Sequence, residues 1–211
     1  MFVSASHAIR TLVVTSAGPR EGKTTVALNL AVAFAQSGKS VLIIDTDMRR
    51  PRVHRTFDVS MEQGVSTCIV NETTLSSAVQ DTGIPNLRVL PCGPIPPNPS
   101  ELLHHPRFAE LLAEARDTYD LVMLDSPPLG PVTDAAIVAP QVDATLLVVR
   151  ADQTTRDAVS GMLRQLTDVS ARVVGCVLNG VDLSKGGSYS RYYRYKQDGY
   201  AYASSEDAAA E

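Results

Sequence analysis

The sequence has few cysteines, no long apolar run and no excess of positive charge, and each absence excludes a class of protein. The three cysteines, Cys68, Cys92 and Cys176, are odd in number, far apart and without metal-ligand spacing, which excludes a zinc cluster and fits reduced thiols in a cytosolic protein. No run of about 18 apolar residues occurs, and the N-terminus has no charged segment followed by an apolar core. We therefore expect neither a membrane span nor a signal peptide, and any membrane association would come through a partner.

The charge balance and the length set the next limits. The formal net charge is -4, from 19 basic and 23 acidic residues, which gives no support to a general nucleic-acid-binding surface. With 211 residues, of which 44% are hydrophobic, the chain can bury one substantial core. We predict one domain over residues 1–183 and a flexible tail over residues 184–211, where aliphatic side chains become rare.

Short apolar runs with many β-branched residues alternate with helical patterns along residues 11–178. The runs are 11–15, 41–44, 87–90, 121–124, 144–149 and 173–178. The helical patterns are 24–37, 75–80, 106–116, 134–138 and 156–166. Apolarity that is continuous rather than alternating predicts strands covered on both faces. The sequence therefore predicts an α/β fold, a doubly wound and mostly parallel sheet, whose ligands bind beyond the carboxyl ends of the strands.

Residues 17–24, AGPREGKT, fit a phosphate-binding loop after the first strand, with Ala17 where the strictest form has a glycine. Backbone N–H groups and the helix N-terminus attract phosphate, Lys23 can reach the β and γ phosphates, and Thr24 is the expected magnesium ligand. The predicted nucleotide-binding residues are Gly18, Pro19, Arg20, Glu21, Gly22, Lys23, Thr24, Thr25 and Asn179. A chance glycine turn is the alternative to this nucleotide site.

Carboxylates follow two further strands of the predicted sheet. Asp125 ends an apolar run in the manner of the magnesium-holding P-loop motif, although an aspartate in this place can also cap a turn. Asp45 and Asp47 follow the second strand, and in extended backbone two such residues point the same way, toward a γ phosphate. The alternative is that these two carboxylates pair with nearby arginines in a solvated loop.

Three segments resemble the bacterial tyrosine kinase family, a branch of the P-loop ATPases with deviant Walker A motifs. They are DTDMRRPRVH at 45–54, LPCGPIPPNPSELL at 90–103 and DSPPLGPVTDA at 125–135. The resemblance covers residues from about 10 to 182. It implies an ATP- and Mg2+-dependent tyrosine kinase with Lys23, Asp45, Asp47 and Asp125 as catalytic residues and Thr24, Asp47 and Asp125 at the metal. Asp45 is the predicted proton acceptor, and Asn179 resembles an adenine-contacting residue, with a turn-forming role as the alternative.

The tail holds six of the seven tyrosines of the chain. They are Tyr189, Tyr192, Tyr193, Tyr195, Tyr200 and Tyr202. The resemblance implies that they are phosphoacceptors, modified in trans between neighbouring subunits of a homo-oligomer. Two other interpretations stay open, an edge strand or adhesive surface and a nucleic-acid contact, because basic residues interleave with the aromatic rings.

The resemblance also implies partners and a location. We expect a transmembrane activator or polysaccharide co-polymerase, a cognate tyrosine phosphatase, and a cytoplasmic position at the inner face of the plasma membrane through that activator. The expected process is capsule or exopolysaccharide synthesis and export. Residues 1–9 lack the Glu-x-x-Arg-x-x-Arg contact helix of the family, so we expect either a truncated chain or a different assembly. A nucleotide-switched positioning ATPase and a noncatalytic ATP-binding regulator of polysaccharide export are the alternative functions.

Overall fold

The computed structural model of the chain describes residues 8–182, in which strands and helices alternate. The strands are β1 (Thr11–Ser16), β2 (Val41–Asp45), β3 (Gln80–Asp81), β4 (Leu87–Leu90), β5 (Leu121–Asp125), β6 (Ala144–Arg150) and β7 (Val173–Asn179). The α-helices are α1 (Lys23–Gln36), α2 (Val53–Phe57), α3 (Val65–Ile69), α4 (Leu75–Ala78), α5 (Pro99–His104), α6 (Pro106–Thr118), α7 (Asp134–Val138) and α8 (Arg156–Asp168). A 3-10 turn, Ala139–Gln141, follows α7.

The strands form one sheet in the order β3-β4-β2-β5-β1-β6-β7. Every pairing is parallel except that of β3 with β4, which is antiparallel. The register aligns Asp45 with Asp125, so the last residues of β2 and β5 stand side by side. The predicted doubly wound, mostly parallel fold is confirmed, and it brings the strand ends that carry the polar residues to one edge.

The sheet is covered by helices on both faces, which explains why its strands are apolar without alternation. On one face α1 packs against β1, β2 and β5 through small side chains, including Ala27, Ala31 and Ala35. On the other face α3, α6, α7 and α8 contribute larger residues such as Phe108 and Leu166. Cys68 and Cys92 are buried in this second layer, and burial raises the pKa of the Cys68 thiol to about 11.

All six predicted strands and all five predicted helices are present, with ends that differ by a few residues. The sequence did not predict β3, α2, α3 and α5, which are two to six residues long and show no clear helical or strand period. Within residues 8–182, no helix combines the length and the apolarity that crossing a bilayer would need. The boundary at residue 183 and the tyrosines of the tail lie outside the described residues.

Candidate active site

A cleft of about 740 Å3 lies at the carboxyl ends of β1, β2, β5 and β6. Its lining includes six basic side chains and one acidic side chain. The basic residues are Arg20, Lys23, Arg49, Arg50, Arg52 and Arg150, and the acidic residue is Asp47. An open cleft with this excess of cations attracts a polyphosphate, because several phosphate oxygens can be neutralised at once.

The loop between β1 and α1 has the backbone of a phosphate-binding loop. Gly22 has a φ of 95°, and a Cβ atom in its place would lie 2.0 Å from Nδ2 of Asn179. That amide donates a hydrogen bond of 2.9 Å to the backbone carbonyl of Glu21. Asn179 therefore supports the loop from the end of β7 and fills the space that a glycine leaves open. Its predicted contact with adenine stays a prediction.

A second support comes from Glu21, whose side chain is buried although glutamate is rarely buried. Its carboxylate accepts a hydrogen bond of 3.0 Å from the Gly18 N–H and another from the Thr154 hydroxyl. The guanidinium of Arg150 donates to the Arg20 carbonyl at 3.1 Å. The sequence predicted Glu21 as a nucleotide-binding residue, which stays a prediction, and missed Thr154, which lies in no recognisable motif.

Lys23 and Asp47 meet in the cleft. The Lys23 ammonium lies 3.1 Å from Oδ2 of Asp47, and Oδ1 of that carboxylate accepts a hydrogen bond of 3.0 Å from the Arg50 N–H. The side chains of Lys23 and Asp47 are 14% and 6% exposed. The lysine that is predicted to hold phosphate thus has a carboxylate counter-ion, which a triphosphate would replace or share.

Thr24 and Asp125 form the second contact at the base of the cleft. The Thr24 hydroxyl donates to Oδ2 of Asp125 at 2.6 Å, while Oδ1 is buried and has no hydrogen-bond partner among the described residues. Burial raises the pKa of Asp125 to about 6, and the Lys23 charge and the Thr24 hydrogen bond oppose this rise. A hydroxyl beside a carboxylate with a free oxygen fits a hydrated Mg2+ held mainly by phosphate and water. Residues 8–182 contain no cluster of three or more His, Cys, Asp or Glu that could hold a metal by themselves.

Asp45 lies below the cleft and does not line it. Its Oδ2 accepts hydrogen bonds of 3.0 Å from the N–H groups of Arg52 and Val53, and Oδ1 accepts one from Asp47. Burial raises the pKa of Asp45 to about 7, and the Asp125 charge adds to the rise. Asp45 therefore holds the segment that follows β2, and the two carboxylates have different partners. Both carboxylates are buried, which contradicts the alternative of a solvated loop. The nearby arginines bind them through backbone N–H groups and not through guanidinium groups.

Asp134, the first residue of α7, connects this helix to Arg49 and to Ser100 of α5, which are far away along the chain. Its fully buried carboxylate accepts two hydrogen bonds from the Arg49 guanidinium, at 2.7 and 3.0 Å, and one from the Ser100 hydroxyl at 2.7 Å. Burial raises the pKa of Asp134, but the hydrogen bonds and charge of Arg49 outweigh burial, so the pKa is below its usual value. The sequence missed this residue because its partners are distant along the chain.

Replacing Asp134 with Ala is expected to lower the free energy of unfolding by about 2 kcal/mol, a reduced effect because Arg49 can reach water. In the unmodified chain, the lowered pKa means that the folded state binds fewer protons than the unfolded chain. The contribution of Asp134 is therefore present above the ordinary aspartate pKa of about 3.9 and is lost as pH falls below it. Urea unfolding at pH 7 and pH 3 measures this difference, with Asp117→Ala on the exposed side of α6 as the control. Equal losses for the two variants at pH 7 would contradict the assignment.

Comparisons with known proteins identify relatives of the chain. Residues 13–175 match the model of a family described as an AAA domain. The chain is 39% identical over 191 residues to the tyrosine-protein kinase YwqD of Bacillus subtilis, covering 90% of this chain and 81% of that protein. The chain belongs to the bacterial tyrosine-protein kinases.

Solved structures with the same fold include a bacterial tyrosine kinase domain. The kinase domain of the Escherichia coli tyrosine kinase ETK superposes with a TM-score of 0.79 at 41% identity, covering 82% of this chain and 68% of that chain. A chimeric protein, CapA2B2, gives 0.79 at 37% identity, covering 82% and 77%. The chain spans only 25% of the full length of the ETK protein. The shared fold shows that this bacterial tyrosine kinase has a P-loop domain. Its activity is the one for which its relatives are named, phosphoryl transfer to protein tyrosine.

Proposed function

We propose that this kinase transfers the γ phosphoryl group of ATP, with Mg2+, to the tyrosine cluster of its own C-terminal tail. The observation that carries the proposal is the cleft, where the Lys23–Asp47 contact and the Thr24–Asp125 contact lie together at the start of α1. In this proposal the N–H groups of the phosphate loop and of the first turn of α1 hold the triphosphate, and Lys23 binds its β and γ groups.

Thr24 and Asp125 would hold Mg2+, which neutralises charge on the phosphates when it is bound. The free oxygen of Asp125 is available for a metal-bound water, and the Thr24 hydroxyl can rotate from Asp125 toward the metal. Most of the rate enhancement should come from this neutralisation and from the alignment of the reacting atoms, because phosphoryl transfer has a loose transition state.

The acceptor oxygen then attacks the γ phosphorus as the bond to the β–γ bridging oxygen breaks, so that ADP leaves and a phosphotyrosine forms. The phenol proton must pass to a base, because a tyrosine with a pKa near 10 is mostly protonated at neutral pH. The family resemblance implies this role for Asp45. The geometry favours Asp47, because Asp47 lines the cleft while Asp45 is held beneath it by three backbone N–H groups.

Replacing Asp47 with Asn is expected to lower kcat by about a hundredfold, the low end of what a positioned base contributes. Asp45→Asn should act mainly on folding, since it removes a buried acceptor from the turn at Arg52 and Val53. Steady-state kinetics and urea unfolding of the two variants separate these effects. If Asp45→Asn is as stable as the unmodified chain and loses more kcat than Asp47→Asn does, Asp45 is the base.

The wider setting is proposed from the resemblance. In this proposal tail phosphorylation occurs in trans within a homo-oligomer, and a cognate tyrosine phosphatase reverses it. A transmembrane activator or polysaccharide co-polymerase would hold the kinase at the inner face of the plasma membrane, and the similarity to the chimeric CapA2B2 supports a paired arrangement. We place the kinase in capsule or exopolysaccharide synthesis and export.

Phosphotyrosine-specific mass spectrometry of the chain after incubation with ATP and Mg2+ tests the proposal, with and without the cytoplasmic segment of a candidate activator. Phosphate on tyrosines of residues 189–202 is the expected result. ATP hydrolysis without tyrosine modification would favour a positioning ATPase. ATP binding without either reaction would favour a noncatalytic regulator.

A further inference from the structure

The cleft has two halves on opposite sides of the phosphate loop. In the sheet β1 lies between β5 and β6, so the residues that follow β6 and those that follow β5 and β2 are separated by the loop after β1. Arg150 and Arg20 are joined by a hydrogen bond on the β6 side. We call the other half, formed by the lining residues of segments 47–52 and 127–132, the acceptor half.

The name of the acceptor half rests on the proposed function. The predicted contact of Asn179 with adenine would put the nucleotide base on the side of β6 and β7, and the predicted contact of Lys23 would put the γ phosphate near the centre of the cleft. A tyrosine that attacks the γ phosphorus in line with the leaving group must come from the other side. The acceptor peptide would then bind in the half of the cleft that is formed by the segments after β2 and β5.

The charged side chains of the acceptor half differ in whether they form an ion pair. Asp47 is paired with Lys23, and the Arg49 guanidinium is paired with Asp134. Arg50 and Arg52 are exposed, and within residues 8–182 neither guanidinium has an ion-pair partner. The acceptor half is also lined by the apolar residues Pro127, Pro128, Pro131 and Val132, which we call the apolar wall.

We propose that Arg50 and Arg52 are specificity-determining residues, which select acceptor tyrosines with anionic side chains close by in sequence. An aromatic ring can pack on the apolar wall while a carboxylate or an existing phosphotyrosine a few residues away binds the arginines. A peptide with lysine or arginine in those places meets like charge and binds less well. The kinase is therefore selective among tyrosines that are otherwise equivalent.

The tail of this chain contains both kinds of tyrosine. Tyr200 and Tyr202 have acidic neighbours, which are Asp198, Glu206 and Asp207. Tyr192, Tyr193 and Tyr195 have basic neighbours, which are Arg191, Arg194 and Lys196. The first group is expected to react faster. Each phosphate that is added brings a charge of about -1.5 to -2, which makes the tyrosines next to it better acceptors.

Two peptides of ten residues test the selection directly. The acidic peptide has the sequence of residues 198–207, DGYAYASSED, and the basic peptide that of residues 188–197, SYSRYYRYKQ. With the full chain as enzyme, we expect kcat/KM per tyrosine to be about tenfold higher for the acidic peptide, the combined effect of two exposed charge pairs. The double variant R50Q/R52Q should reduce this preference to about twofold or less, measured at saturating ATP so that any change in ATP binding cancels between the two peptides. Arg55→Gln is the matched control, because Arg55 is exposed on α2 and does not line the cleft.

A second measurement uses the tail in its own chain. The inactive variant Lys23→Met serves as acceptor for the active enzyme, and mass spectrometry follows each tyrosine over time. Tyr200 and Tyr202 should be labelled first. An acceptor that also carries D198N, E206Q and D207N should lose this lead, although the distance of each tyrosine from the domain is unchanged.

The outcomes separate the two proposals. Equal rates for both peptides, or a preference that survives in R50Q/R52Q, would overturn the selection by arginines and leave tail phosphorylation standing. Tail tyrosines that stay unlabelled both in the Lys23→Met acceptor and in the active enzyme would overturn tail phosphorylation, and the selection with it. An early label on Tyr200 and Tyr202 that persists without the three acids would show that position along the tail, and not charge, sets the order.

Discussion

Replacing Lys23 with Met is expected to lower kcat/KM for tyrosine phosphorylation by about a thousandfold, because a cation that neutralises the transferring phosphoryl group is lost. Methionine has a similar length and no charge, so the shape of the cleft changes little. The fold should persist, since Asp47 keeps its hydrogen bond from the Arg50 N–H. Incorporation of phosphate from labelled ATP measures the effect, and circular dichroism reports the fold.

Lys39→Met is the control for Lys23→Met, because Lys39 is exposed between α1 and β2 and lies outside the cleft. This control should retain full activity. Labelling of Lys23→Met at the rate of the unmodified chain would contradict the proposed mechanism. Loss of labelling in both variants would point instead to a general effect of removing a lysine.

Replacing Gly22 with Ala is expected to lower kcat/KM by about a thousandfold as well, for two reasons that combine. The φ of 95° is unfavourable for a residue with a Cβ atom. Left-handed backbone costs about 1–2 kcal/mol, or about tenfold. The new Cβ would also collide with Asn179, and moving Lys23 and the loop N–H groups by about 1 Å can cost a further hundredfold. Nucleotide titration and steady-state kinetics measure binding and turnover separately.

A double-variant cycle divides the Gly22→Ala effect into its two parts. Asn179→Ala removes the colliding amide, so the double variant should be less impaired than the product of the two single losses. The remaining defect reports the backbone strain. Gly161→Ala is the control, because a Cβ at Gly161 in α8 meets nothing within 4 Å. Multiplicative losses in the cycle would mean that the collision with Asn179 is unimportant.

Much of the fold could be predicted because buried parallel strands are apolar at every position. The runs at β2 and β5 have this property over their whole length, and α1 follows a loop with a recognisable phosphate-binding sequence. The short helices α2 and α5 could not be predicted, because tertiary contacts rather than a repeating pattern hold them. For α2 the main contact is Asp45, which accepts the first N–H of the helix from a strand that ends eight residues earlier.

The same reasoning explains which parts of the site could be predicted. Lys23, Thr24 and Asp125 lie in or next to recognisable motifs, and the sheet order brings them together. Glu21 and Thr154 are 133 residues apart, and Arg49 and Asp134 are 85 apart, so no local pattern connects them. The parallel direction of Asp45 and Asp47 was predicted from extended backbone. In the structure β2 ends at Asp45, and the two carboxylates have different partners, backbone N–H groups for Asp45 and the Lys23 ammonium for Asp47.

The supports of the phosphate loop have a thermodynamic consequence. Three hydrogen bonds hold the loop without a nucleotide. They come from Asn179 in β7, Thr154 in the turn after β6 and Arg150 in β6. A loop that is already ordered loses little conformational entropy when a triphosphate arrives, whereas an unsupported one would lose about 1–2 kcal/mol per residue. Nucleotide association should therefore be limited by diffusion and electrostatic attraction rather than by loop folding, and its rate should fall as ionic strength rises.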